Sequence, residues 1–316
     1  MRVCFFIILV SLVGAASKQL SAAPQRPVAI QNVTLIDGTG APAKPGMTVI
    51  INDGRILAVG RTAQTKAPPD AEIVDANGKF AIPGLWDMHV HLTQLTEIAG
   101  PAFIANGVTG VRDMGGSLEL VDWIRQRVTD GVVIGPHIFR PGPFVDGAKP
   151  GVTDRLVIWN AEDGRNAVNF LQARGVDFIK VHNGAPPDAF FALLKEAAAK
   201  HIQVAGHIPL DVDPAQAVEA GYNSIEHVVS LFEGPVRNKV RQGKSQPAAF
   251  TEFTDEEARK LAKLMAKKNA WFDPTLVFYW SIAHQADLKE RPDARERYVS
   301  KSGHEFWKLF PDRPNT

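Results

Sequence analysis

From residue 84 onward, short apolar runs alternate with amphipathic stretches, and this alternation limits the fold more than any other feature. Strand-like runs fall near 85–91, 108–113, 137–141, 177–182, 202–207, 223–228 and 270–277. Helical spacing falls near 96–106, 118–129, 161–174, 187–200, 213–220, 255–269 and 290–309. Alternating strands and helices imply a parallel sheet. Seven such units in sequence favour a (β/α)8-type TIM barrel over an open doubly wound sheet. Thr254 and Glu257 form a capping-box pair ahead of one helix, and Phe190, Leu193, Leu194, Ala197 and Ala198 mark the apolar face of another. No G-x-G-x-x-G follows a strand and no G-x-x-x-x-G-K-[ST] occurs, so neither a dinucleotide site nor a P-loop is expected.

Ahead of the barrel, residues 24–83 are short β-prone pieces cut by turns. Asn52-Asp53-Gly54 and Asn77-Gly78 are hairpin signals, and Met47, Val49 and Ile51 alternate as a strand face does. The expectation is a small antiparallel sheet, part of a β-sandwich support domain. Residues 1–23 read as a signal peptide: Arg2, an apolar core too short for a comfortable span, and small residues before cuts after Ala16 or Ala23, the second favoured by the extended start at Pro24–Pro27. The competing reading is an uncleaved anchor; cleavage leaves no stable membrane anchor. The expected location is the periplasm or the exterior. Cys4, the single cysteine, leaves with the leader, so the mature chain needs no disulfide. With 35 Lys+Arg against 34 Asp+Glu, nothing in the charge calls for a nucleic-acid partner.

The reactive side chains gather at predicted strand ends, where barrel enzymes keep their sites. His89 and His91, in GLWDMHVHL, are two apart and share one side of a strand. They read either as a metal-binding pair or as hydrogen-bonded core histidines. Lys180, in DFIKVHN, points into the barrel from a strand too apolar for an ammonium group. It reads either as a carbamate bridging two metals or as a lysine paired with a carboxylate. His207 in VAGHIP and His227 in SIEHVVS end the next two strands. Four histidines and a lysine on four strand ends suit zinc, with nickel, cobalt or manganese as alternatives. His182 reads as a substrate contact or a plain polar barrel residue. Arg112 and Arg140 read as substrate-binding groups or as structural partners of aspartates such as Asp113. Glu226, next to His227, is expected to point away toward the helices.

IDGTG, INDGRILAVG, AIPGLWDMHVHL, GVTGVRDMGG, FIKVHNG, GHIP and SIEHV together resemble the metal-dependent amidohydrolase superfamily. The similarity is to its imidazolonepropionase-like and Xaa-Pro-type dipeptidase-like members. It runs from about residue 28 to residue 278 and is specific for the superfamily, not the substrate. The resemblance implies a metal-activated water that cleaves a C–N bond in an amide, cyclic amide or dipeptide. It implies His89 and His91 on a first metal, carboxylated Lys180 as the bridge, and His207 and His227 on a second metal, with zinc at both. Lys180 draws the chain toward the binuclear dipeptidase-like members.

One departure stands out. The family carries an aspartate on an eighth strand, in a Gly-Thr-Asp setting, and no Gly-Thr-Asp follows residue 280. Asp273, on the seventh strand, is no safe substitute. The sequence therefore reads as an amidohydrolase cut short at the C-terminus, with the eighth unit and the closing strands of the small domain missing. The expectations are unpaired sheet edges and low stability, or a covering partner, a second copy of the chain among the candidates. An inactive metal-binding relic and a barrel binding protein are the alternatives to an enzyme.

Overall fold

The structure is a computed structural model and describes residues 26–95, 99–149, 155–243, 245, 254–284 and 301. The expected leader and, apart from residue 301, the helix expected at 290–309 lie outside these residues. The chain divides into two units, residues 1–83 and 84–316.

In the first unit β1 (Val28–Leu35), β2 (Lys44–Asn52), β3 (Arg55–Arg61), β4 (Glu72–Asp75) and β5 (Phe80–Ala81) form one sheet, ordered β3-β2-β1-β4 with β5 also on β1. Asp53 and Gly54 both take positive φ, and Asn52 pairs with Arg55 across them, as a two-residue hairpin requires. The Asn77-Gly78 turn behaves differently. β4 and β5 do not pair with each other; both run parallel to β1, on Val28–Gln31 and then Thr34–Leu35. The turn steps the chain along one edge, so the sheet is mixed and not purely antiparallel.

In the second unit β6 (Leu85–Val90), β7 (Val108–Asp113) and β8 (His137–Phe139) form one parallel sheet. The other sheet holds β9 (Phe144–Asp146), β10 (Arg155–Val157), β11 (Ile179–Val181), β12 (Val204–Gly206), β13 (Ser224–Glu226) and β14 (Trp271–Asp273). Its order is β10-β9-β11-β12-β13-β14, every pair parallel. The intervening helices are α1 (Leu92–Leu95), α2 (Ala99–Ala105), α3 (Leu118–Thr129), α4 (Ala161–Ala173), α5 (Pro187–Ala199), α6 (Pro214–Glu219), α7 (Glu233–Arg241), α8 (Asp255–Lys268) and α9 (Leu276–Ala283). This is the β/α barrel architecture the alternation demanded.

Two strands depart from expectation. Pro141-Gly142-Pro143 breaks the third one into β8 and β9, because proline has no N–H for the ladder. The broken strand still borders β11: Asp177 N donates to Arg140 O at 3.0 Å and His182 N to Val145 O at 2.9 Å. The seventh strand stops at Asp273, before Pro274, and α9 follows.

The main core lies between the outer face of the sheet and its helices. Ile179, Val181, Val204 and Ile225 pack with Val168 and Leu171 of α4, Phe190, Leu193 and Leu194 of α5, and Val218 of α6. Each such side chain contributes about 1.5–3 kcal/mol on full burial. A smaller cluster joins Val90, Val111 and Ile138 to Val121 and Ile124 of α3. The capping box forms: Glu257 N donates to Thr254 Oγ1 and Thr254 N to Glu257 Oε2. Among the described residues no strand pairs with the outer edge of β14 or the free edge of β6. Trp86 and Trp271, on these two strands, are largely exposed.

Candidate metal centre

Strand alternation decides what faces the barrel interior. Ile179 and Val181 face the helices, so Lys180 between them must face inward. It is fully buried, and among the described residues its Nζ has no hydrogen-bond partner. His89 comes from the end of β6, while His91, His207 and His227 stand just past β6, β12 and β13. Their rings form a continuous arc. The centroid separations are 5.4 Å for His91–His89, 4.5 Å for His89–His227 and 4.6 Å for His227–His207. His182 extends the arc, stacked on His207 at 4.2 Å. All five residues assigned to metal from the sequence are thus brought together.

Room for Lys180 comes from Gly206. At φ +132 a Cβ there would meet Val181 O at 2.1 Å and Lys180 Cδ at 2.9 Å. Any side chain at this position would push the lysine stem aside. Tyr222 Oη donates to His207 O at 2.8 Å, fixing the backbone of the following histidine.

Burial also sets the charge states. It holds His89 and His207 well below the ordinary imidazole value, with the Lys180 charge adding to the effect. It lowers His227 to about 3, helped by His89, and His182 to about 4, helped by Arg155. All four are neutral near pH 7 and keep a lone pair for a cation. Burial lowers Lys180 to about 7, which leaves a large share of it as free amine at neutral pH. His91 and His227 each have one nitrogen held by the chain. His91 Nδ1 bonds Gly115 O at 3.0 Å, and His227 Nδ1 bonds Thr275 Oγ1 at 2.8 Å. Such contacts orient a ligand ring and leave Nε2 for metal. The donor set therefore fits a divalent cation, and the orphaned Lys180 Nζ fits conversion to an oxygen ligand.

Glu226 corrects the sequence reading. It does not turn to the helices; it is fully buried inside the barrel, with Oε2 2.9 Å from His89 Nδ1 and Oε1 2.6 Å from Arg112 Nη2. Ser224 Oγ donates to the same Oε1 at 2.7 Å. The reason is backbone conformation. His227 has φ +67, which breaks the alternation, so Glu226 and His227 both reach the site. His89, Glu226 and Asp273 place one donor atom each within 4.8 Å of one another. Arg112 Nη2, 2.6 Å from Glu226 and 4.0 Å from Asp273, already supplies positive charge to both carboxylates. A guanidinium beside these oxygens disfavours a further cation there, so Glu226 is better read as the group that orients His89.

The two arginines also resolve. Arg112 donates to Met88 O, Ser224 Oγ and Glu226 Oε1, and so acts inside the barrel as the counter-charge of Glu226. Asp113 is not its partner; that carboxylate accepts from Leu92 N and Gly115 N. Arg140 does not reach the site. It pairs with Asp122 and donates to Gly175 O at 2.8 Å, tying the end of β8 to α3 and the turn after α4. His182 does stand at the site, with Nδ1 3.3 Å from Asp146 Oδ2. Asp146 is itself buried and paired with Arg155.

The chain is similar to known proteins. The chain is 41% identical over 227 residues to an adenine deaminase of Ruegeria pomeroyi, covering 68% of this chain and 37% of that enzyme. It is 43% identical over 68 residues to an imidazolonepropionase of Idiomarina loihiensis, covering 22% of this chain and 17% of the other. The chain thus spans well under two thirds of these relatives. The crystal structure of a molinate hydrolase superposes with a TM-score of 0.62 at 22% identity, over 90% of this chain and 70% of that one, a likeness of fold. Residues 80–275 match the model of the amidohydrolase family, to which this chain belongs.

Proposed function

We propose that the chain is the metal-dependent hydrolase its family membership suggests, cleaving an amide, cyclic-amide or dipeptide C–N bond in a small molecule. The observation that carries this reading is the fully buried Lys180 amine, without a hydrogen-bond partner among the described residues and near enough to His89, His207 and His227 to depress all three. Two zinc ions are the cofactor proposed, one on His89 and His91 and one on His207 and His227. Lys180 would supply them an oxygen ligand once carboxylated: its amine nitrogen bonds the carbon of CO2, one C=O bond opens to a carboxylate, and the N–H proton leaves to solvent. Bound there, the metals supply Lewis acidity and make a water acidic near neutral pH.

The remaining work falls to the chain's own groups. Gly115 O and Thr275 Oγ1 hold the His91 and His227 rings, and Glu226 holds His89. Asp273 is partly exposed, and burial followed by the nearby Glu226 raises its carboxyl above the usual range. That is the setting of a group that takes a proton from the attacking water and returns it to the leaving nitrogen. His182 borders the same space and contacts substrate. We also propose that residues 1–23 direct export and that the N-terminal sheet supports the barrel.

The test is turnover. Protein stripped with a chelator is reloaded with Zn2+ in bicarbonate buffer and offered N-acyl amino acids, Xaa-Pro dipeptides and cyclic amides. The expected result is C–N cleavage of one class, absent from stripped protein and restored by metal. Bound metal without turnover of any class would make the chain a binding protein.

A further inference from the structure

We propose that Asp113 is the positioning residue of the first metal position, acting on His91 through two stretches of backbone. The inference rests on the reading of His91 as a metal ligand. Asp113 ends β7 and is buried, and a carboxylate in such a place is costly unless hydrogen bonds compensate it. Its partners are both backbone N–H groups. Oδ1 accepts from Leu92 N at 2.8 Å, and Oδ2 accepts from Gly115 N at 3.2 Å. Neither bond belongs to the β6–β7 ladder, in which Val90 lies opposite Asp113.

Both partners lead to the same ring. Leu92 is the residue that follows His91, so Oδ1 fixes the chain as it leaves the ligand. Gly115 supplies the carbonyl that accepts from His91 Nδ1 at 3.0 Å, so Oδ2 fixes the group that sets the ring's tautomer. One carboxylate therefore controls both where the imidazole is attached and which nitrogen it presents.

The loop has few ways to compensate. Gly115 and Gly116 sit at φ +117 and +152. A Cβ on Gly115 would lie 2.8 Å from the Phe144 ring, and one on Gly116 would lie 2.2 Å from Thr93 Oγ1. Phe144 itself stands 5.8 Å from the His91 ring and limits its swing. The Asp-Met-Gly-Gly run at 113–116 thus reads as one device: an acceptor, then a turn only glycine can make.

The test compares Asp113→Asn, Asp113→Glu and His91→Ala by chelator-competition titration of zinc and by 15N NMR of the histidine rings in metal-free protein. Asparagine turns an NH2 group against one of the two backbone donors; glutamate keeps both acceptor oxygens. The expected result for Asp113→Asn is a 10- to 100-fold loss of affinity for the metal equivalent that His91→Ala also loses. The other equivalent keeps its affinity, and the His91 ring loses its single Nδ1–H tautomer. Asp113→Glu should lie between Asp113→Asn and the wild type, and it carries the comparison alone if the asparagine variant does not fold. Wild-type affinity and tautomer in the Asp113 variants, with loss in His91→Ala, would overturn the proposal. Unchanged metal binding in His91→Ala would instead reject the ligand assignment beneath it.

Discussion

Replacing Lys180 with methionine is expected to move activity and stability in opposite directions. Hydrolysis should fall by about 10³-fold, the scale of losing a charged group at the reacting centre. The metal-free protein, however, should become more stable at neutral pH. Burial lowers Lys180 from 10.5 to about 7, while the unfolded chain keeps the ordinary value. Between those two pH values the unfolded chain binds the extra proton, so its contribution makes wild-type stability rise with pH across that window. Below about pH 7 the whole penalty is present, on the order of 5 kcal/mol. Methionine has similar length and no charge, so it removes the penalty at nearly constant volume. Urea unfolding of both metal-free proteins at pH 7 and pH 10 tests this. The variant should be the more stable at pH 7, and the gap should shrink at pH 10. A variant less stable at both values would mean that Lys180 is an ordinary paired lysine.

The second large effect is expected at Glu226. Glu226→Ala leaves Arg112 buried beside a half-empty site and frees the His89 ring. Removing one partner of a buried pair costs about 3–5 kcal/mol. Loss of an orienting contact lowers metal affinity roughly 10- to 100-fold. The double variant Arg112→Met/Glu226→Ala should recover much of the stability, because no charge is then left unpaired. It should not recover metal affinity, because His89 still lacks its orienting acceptor. Thermal unfolding and zinc competition on Glu226→Ala, Arg112→Met and the double variant separate the two effects. Stability losses that simply add would show that the two side chains do not act as a pair.

The parallel architecture was legible because strand and helix periods differ and most units carry long apolar faces. The convergence of His89, His91, His207 and His227 on one side of the barrel, and the inward turn of Lys180, were legible because each ends or interrupts a clear strand. Glu226 and Asp146 escape the sequence reading where local geometry overrides the period. Ile225 faces the helices and Ser224 the interior, so alternation from these two would have placed Glu226 inside. Counting back from His227 gave the opposite answer, because its positive φ steps out of the alternation. Asp146 went unseen because Pro141-Gly142-Pro143 reads as a loop and β9 is only 3 residues long. Asn77-Gly78 reads as a hairpin, but its flanking strands both join β1; which strand the flanks of a turn join depends on long-range pairing, which a dipeptide does not encode. Arg140 could not be separated from Arg112 by sequence, since both sit at strand ends, and only their partners tell them apart.

The central claim is that the barrel mouth is a metal site built from these histidines and Lys180. Its most direct test is metal content by mass spectrometry after zinc reconstitution and desalting. The wild type is compared with His89→Ala/His207→Ala, and both are checked for native circular dichroism. The account predicts about two zinc ions per wild-type chain and none retained by the folded double variant. Equal metal content in the two proteins would contradict it.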